Sequence, residues 1–316
     1  MQQQIKEIQM FCLSKKYIIL LIVVSIVICK FSLLFAEGFS SEIGIKSNYS
    51  SGMSSSNVNY RLFTKLLYSI SFFKSQIMGT FIGNEQITDG LGNFTTINAG
   101  QGLVKAQCNL GDLLELGGNY SQSKGGMSYV AYNYGLFGSL YINQITFDID
   151  YSYNTKKYDY NGFININEHY FAGSFSYEYN DNVDYELEYN YKANEFEELS
   201  YTYSVNRGRA GMSIYSNNTI YMGGVTLGKD SGDYYIIGGD FGFSVRFKDT
   251  IKLIALYALD YYNAPSVTTS TGTGGGHGGQ SGTEYGYKGM NPYMRSDLIG
   301  KSFFCHSINV SLSFIF

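Results

Sequence analysis

Val183-Asp184-Tyr185-Glu186-Leu187-Glu188-Tyr189-Asn190-Tyr191 alternates apolar and polar side chains without a break. A period of two sends successive side chains to opposite faces of a β-strand, whereas a helix would scatter them around its circumference. Val183, Tyr185, Leu187, Tyr189 and Tyr191 therefore share one face, and Asp184, Glu186 and Glu188 share the other. A strand of this length reaches the ~9 to 11 residues that cross a bilayer at a tilt.

The pattern recurs on either side. Phe147, Ile149, Tyr151 and Tyr153 alternate with Asp148, Asp150 and Ser152; Phe171, Phe175, Tyr177 and Tyr179 repeat it, and so do Leu199, Tyr201, Tyr203 and Val205. Polar breaks separate these runs at Asn180-Asp181-Asn182, at Asn194 to Glu198, at Asn206-Arg207-Gly208 and at Asn217-Asn218. Such residues accept the positive φ of tight hairpins, so sequence neighbours should pair antiparallel as a meander. Downstream, Phe241, Phe243, Val245 and Phe247 lead through Lys248-Asp249-Thr250 into Ile251, Leu253, Ala255, Tyr257 and Leu259. Upstream, strands are expected near 41–49, 57–70, 75–87, 94–107, 112–122 and 127–140. A direct count gives about 15 strands. Single-chain bacterial barrels have even numbers, which selects about 14, within a range of about 12 to 16.

Composition agrees. The 316 residues hold 31 Tyr, 22 Phe and 37 Gly but only 2 Pro, and 15% are charged, against ~25% in soluble domains. Aromatic and β-branched residues suit a pleated surface, and proline is scarce where every backbone N–H must enter a ladder. A soluble β-sandwich would also have one apolar face per strand, but its strands average ~5 to 6 residues. Setting aside Lys6, Lys15, Lys16, Lys30 and Glu7 leaves 18 basic against 25 acidic residues beyond Ala36. An acidic chain excludes nucleic acid as the partner, which requires concentrated Lys and Arg.

At the N-terminus Lys15 and Lys16 precede the apolar run Tyr17 to Ile28, and a second apolar patch ends at Leu34-Phe35-Ala36. That order of charge, apolar core and small residue marks residues 1–36 as a secretory signal peptide cleaved after Ala36, leaving 37–316 as one barrel. The alternatives are an uncleaved anchor, for which the run is short of ~20 residues, and lipid attachment at Cys29, against which Ile28 is bulky. Beyond Ala36 only Cys108 and Cys305 remain, too few for a disulfide framework and without zinc-ligand spacing. No cofactor or metal is expected.

The last ten residues, Ser307-Ile308-Asn309-Val310-Ser311-Leu312-Ser313-Phe314-Ile315-Phe316, alternate in the same way. This stretch resembles the closing strand of the bacterial outer-membrane β-barrel superfamily, porin-like members included. The resemblance implies an all-β, transmembrane, antiparallel up-and-down barrel located in the bacterial outer membrane. It also implies that Val310, Leu312, Phe314 and Phe316 form the signal read by the barrel-assembly machinery. A sheet in lipid must leave no free edge, which independently demands closure of the first strand on the last.

With both termini on the periplasmic side, the longest connection, about 263–300, faces outward. It contains a Gly-rich tract around His277, either a surface loop or an inward constriction. The tract lacks the strand, Lys and helix of a phosphate cradle, and His277 has no partners for a metal shell. If the aromatic stripes face lipid, Asp148, Asp150, Glu178, Asp184, Glu186 and Glu188 line the lumen as an acidic wall, with Arg246, Lys252 and Lys192 as inward bases. Such a wall implies a passive, mildly cation-selective diffusion pore for small polar solutes. The solvated, self-neutralised lumen is the plainer alternative, and a surface adhesin acting through its outer loops is the other class of function. An enzyme is not expected: His306 and Ser307 are adjacent and so point to opposite faces. A monomer is the favoured state, with outer-membrane lipid and small solutes or cations as partners.

Overall fold

A computed structural model describes residues 38–52, 57–88, 94–158, 165–197, 201–248, 250–264, 298 and 301–316. They form one closed barrel of 14 antiparallel strands in sequence order: β1 Phe39–Ser51, β2 Asn57–Ile70, β3 Phe73–Thr88, β4 Phe94–Leu110, β5 Leu114–Gly125, β6 Val130–Ile142, β7 Ile145–Lys157, β8 Ile166–Asn180, β9 Val183–Phe196, β10 Tyr201–Ser216, β11 Thr219–Asp230, β12 Tyr235–Phe247, β13 Ile251–Asn263 and β14 Phe303–Ile315. The meander expected from the sequence is therefore present, with the expected even count. The proposed signal segment 1–36 and its cleavage at Ala36 lie outside the described residues, as does the His277 tract.

β1 pairs with β14, Gly44 opposite Ser313 and Lys46 opposite Ser311. Beyond that ladder Ser41 and Phe316 exchange both backbone hydrogen bonds, at 2.9 and 2.8 Å. Closure satisfies the edge groups that lipid could not. One end carries tight turns, such as Asn143-Gln144 and Asn217-Asn218, where Asn143 and Asn217 take φ of 53° and 50°. The other end carries the longer connections, including 264–302. In bacterial outer-membrane barrels such short turns lie on the periplasmic side and the long loops outside.

The outer surface is apolar. Leu136, Ile149, Leu187, Val225 and Phe241 are each more than half exposed, and all face away from the lumen. Tyrosines fringe this band, among them Tyr60, Tyr153, Tyr191 and Tyr261 toward the loops and Tyr68, Tyr177 and Tyr221 toward the turns. Their rings suit the interface between hydrocarbon and headgroup.

Two sequence expectations are corrected. Asn206-Arg207-Gly208 is not a turn; it lies in the middle of β10, and Asn194 likewise belongs to β9. Treating 206–208 as a break divided one strand into two, which explains the count of 15. Tyr201, Tyr203 and Val205 also do not belong to the lipid stripe. They pair with Phe196, Asn194 and Lys192 on the inner face, and Tyr203 is buried. The physical reason is strand length: at 12 to 17 residues, these strands outrun the ~9 to 11 needed to cross a bilayer. Above the apolar band an outward side chain meets water and an inward one packs. Polarity therefore inverts, with Thr202, Ser204 and Asn206 outward and Ala210, Met212 and Ile214 taking over the lipid face below.

Candidate functional site

Since side chains alternate, the register fixes which of them enter the lumen. On β7 these are Asp148, Asp150, Ser152, Asn154 and Lys156; on β8, Glu168, Tyr170, Ser174 and Glu178; on β9, Asp184, Glu186, Glu188, Asn190 and Lys192. All six carboxylates singled out from the sequence thus sit on the inner face of three adjacent strands. Asp148 accepts hydrogen bonds from the Ser139 and Ser174 hydroxyls, the latter at 3.2 Å. Asp184 accepts one from the Tyr215 hydroxyl at 2.6 Å, and Glu188 one from Asn190 at 3.3 Å. Among the described residues, Asp148, Asp150, Glu178, Asp184 and Glu188 have no ion-pair partner within 4.0 Å.

Glu186 differs, because Arg209 reaches it at 2.8 Å. The same guanidinium grips Asp240 of β12 in a two-pronged pair, Nε to Oδ2 and Nη2 to Oδ1, each 2.7 Å. Two residues along β10, Arg207 bonds Asp260 of β13 at 3.0 Å and the Tyr262 hydroxyl at 2.6 Å. Both arginines lie along the wall. Arg209 crosses β11 where Gly224 offers no side chain, and Asp260 leans over Gly238 on β12 to meet Arg207. Forked pairs of this kind fix geometry as well as charge. The sequence reading missed these two arginines because it put Arg207 in a turn; the change of phase from Val205 to Ala210 was the available signal.

Arg246 and Lys252 occupy the inner face as expected, opposite one another near the Lys248 turn. They lie apart from the acidic wall. Lys192 joins Lys156 on Glu168, at 2.7 and 2.6 Å, with Asn154 completing the carboxylate's partners at 2.9 Å. Toward the loop end the inner wall carries three apolar clusters. Ile82, Ile97, Ala99, Tyr129 and Ala131 form one cluster, Ile166, Phe196 and Tyr203 a second, and Tyr234, Ile236, Tyr262 and Phe303 a third. Leu298, at the foot of the long connection, packs against the third cluster, and its carbonyl accepts a 3.3 Å bond from Tyr234.

His306 faces outward, its Nδ1 2.9 Å from the Tyr257 hydroxyl, while Ser307 faces inward, so the pair shares no site. Cys108 is exposed on the outer face of β4 and Cys305 lies on the inner face of β14. Among the described residues no group of His, Cys, Asp and Glu is arranged to hold a metal ion. Val310, Leu312, Phe314 and Phe316 lie on the lipid side of β14 and just beyond its end.

No family model matches the chain, and no curated protein matches it in sequence. Solved structures do match in shape. The Pseudomonas putida toluene transporter TodX aligns over 90% of this chain and 91% of its own, with a TM-score of 0.53 and 8% identity. The CymD monoaromatic hydrocarbon channel aligns over 89% of both chains, with a TM-score of 0.52 and 10% identity. A bacterial polysaccharide outer-membrane secretin covers 87% of this chain and 98% of its own, with a TM-score of 0.51 and 9% identity. Identities this low speak to fold alone. The closed, even-stranded sheet with its outward apolar band is thus a β-barrel of the same fold as these outer-membrane channels.

Proposed function

We propose that the barrel is a passive pore for small polar solutes, with a mild preference for cations. The observation that carries this reading is the inner face of β7 to β9, where Asp148, Asp150, Glu178, Asp184 and Glu188 lack ion-pair partners within 4.0 Å among the described residues. Carboxylates beside water raise local cation concentration and repel anions over a Debye length of ~8 Å. Arg209 and Arg207 moderate the effect by neutralising Glu186, Asp240 and Asp260 along the adjoining wall. A polar lumen with both signs of charge suits hydrated solutes rather than a single tightly held ligand.

Conductance of the refolded chain in a planar bilayer under a salt gradient tests this directly. Stepwise openings with a reversal potential on the cation side are expected. A folded barrel that never conducts would overturn the pore and favour a surface role for the outer loops.

A further inference from the structure

On the outer surface, β4 to β7 enclose a trough of about 560 Å³. Its floor is Gly118, which pairs with Ala106 on one side and Leu136 on the other. Tyr120, Tyr134, Tyr151 and Tyr153 rise around it. The walls are held in place by one another. The Tyr120 and Tyr134 rings are 5.3 Å apart, Tyr153 lies 5.0 Å from the His169 ring, and the Tyr151 hydroxyl is 3.1 Å from His169 Nδ1. The lining is almost wholly apolar, as an acyl chain requires.

What lies above the trough selects its occupant. Register carries Tyr120, Tyr134 and Tyr153 in one row across β5, β6 and β7, and Lys124, Val130 and Lys157 in a second row nearer the loops. Both lysines are exposed and point outward. The rows are four residues apart, about 13 Å along a strand and somewhat less in height once the strands tilt. Gln122, Tyr132 and Thr155 occupy the row between them, where apolar surface gives way to polar. Two cations therefore stand about one headgroup above a trough for hydrocarbon, on the loop side of the barrel.

We infer that β4 to β7 form a binding site for one anionic phospholipid of the outer leaflet, whose phosphate charge no headgroup cation neutralises. Its acyl chain lies in the trough over Gly118, and its phosphate sits between Lys124 and Lys157. The ammonium groups act as compact charges on flexible stems, able to converge on a phosphate from two strands. Each lysine also gains from placing its charge at the anionic interface. The site does not depend on the pore reading, since it lies wholly outside the lumen.

Native mass spectrometry of the full chain, refolded into nanodiscs of phosphatidylglycerol or of phosphatidylcholine with identical acyl chains, tests the assignment. The probe is the lipid retained after release from the disc. One retained phosphatidylglycerol is expected, favoured roughly tenfold over phosphatidylcholine by the two lysine charges. The Lys124→Gln/Lys157→Gln pair should abolish the preference while leaving acyl retention. Ala106→Phe, which fills the trough from an exposed lipid-facing position, should abolish retention itself. Heat-modified migration on a gel reports folding separately for each variant. Equal retention of the two lipids, or retention unaffected by Ala106→Phe in a folded barrel, would overturn the site.

Discussion

Arg209 on β10 and Asp240 on β12 bond face to face across an intervening strand, because Gly224 of β11 leaves the space between them empty. A Cβ built on Gly224 would lie 2.8 Å from Arg209 Nη2 and 2.9 Å from the Ala210 carbonyl. Neither can retreat cheaply: one is tied to two carboxylates, and the other is backbone. Gly224→Leu should therefore cost about 2 to 3 kcal/mol, the range for a broken hydrogen bond between charged groups plus overpacking. Urea unfolding followed by circular dichroism would measure it, and an unchanged midpoint would show that Arg209 moves aside freely.

Removing Arg209 has a second effect. Arg209→Gln releases Glu186 and Asp240 from their shared cation. Two more carboxylates then bear on the lumen, and the cation-to-anion permeability ratio should rise by about two- to five-fold, as expected for a partly screened charge change of this size. The reversal potential under a salt gradient reads this out. A shift toward anions would contradict the arrangement.

The acidic wall predicts the opposite sign. Asp150→Asn combined with Glu188→Gln removes two carboxylates without altering side-chain size, and should lower the same ratio by a comparable factor. Single-channel conductance would fall for potassium more than for a large organic cation if the wall concentrates small ions. If both permeabilities are unaffected, selectivity resides elsewhere.

Neighbours in sequence should respond differently to the same substitution. Ile149 faces outward and is 58% exposed, while Ser152 of the same strand faces the lumen. Ile149→Arg should destabilise the barrel in liposomes by about 2 to 4 kcal/mol, the cost of a cation near the bilayer midplane. Ser152→Arg should change stability little, because its charge meets water and Asp150. Equal effects would mean that the two faces are misassigned.

Assembly gives a further test. Phe316 closes the seam by exchanging backbone hydrogen bonds with Ser41, and its side chain is 60% exposed on the outer surface. Phe316→Ala leaves those backbone bonds intact. If the terminal aromatic is read by the assembly machinery, the variant should refold normally in detergent yet accumulate poorly in the outer membrane. Equal loss in both settings would indicate a packing defect instead.

Strands β7 to β9 were legible because within the bilayer the physics is simple: lipid on one side, water on the other, and a side chain must match. The six lumen carboxylates followed from that rule. β10 was misread because its loop-side third stands above the lipid, where Tyr203 packs inward and binds Asp230 at 3.0 Å while Thr202 faces out. The rule inverts there, and an unbroken strand looks like two. The arginine pairs were invisible for another reason. They join β10 to β12 and β13, and nothing local in the sequence announces that a glycine on a strand between lets an arginine lie flat.

The seam between β1 and β14 has a kinetic consequence. It joins residues at the two extremes of the described chain, such as Lys46 and Ser311. Every other pairing in the sheet forms between neighbours in the chain, but this one must wait until the last strand has been delivered. Bringing such distant segments together carries the largest loop-closure entropy in the molecule. Until then any partial sheet carries two unsatisfied edges, a template for pairing with other chains. Closure is thus the committing step, and the time spent before it is when the nascent barrel most needs protection from its own kind.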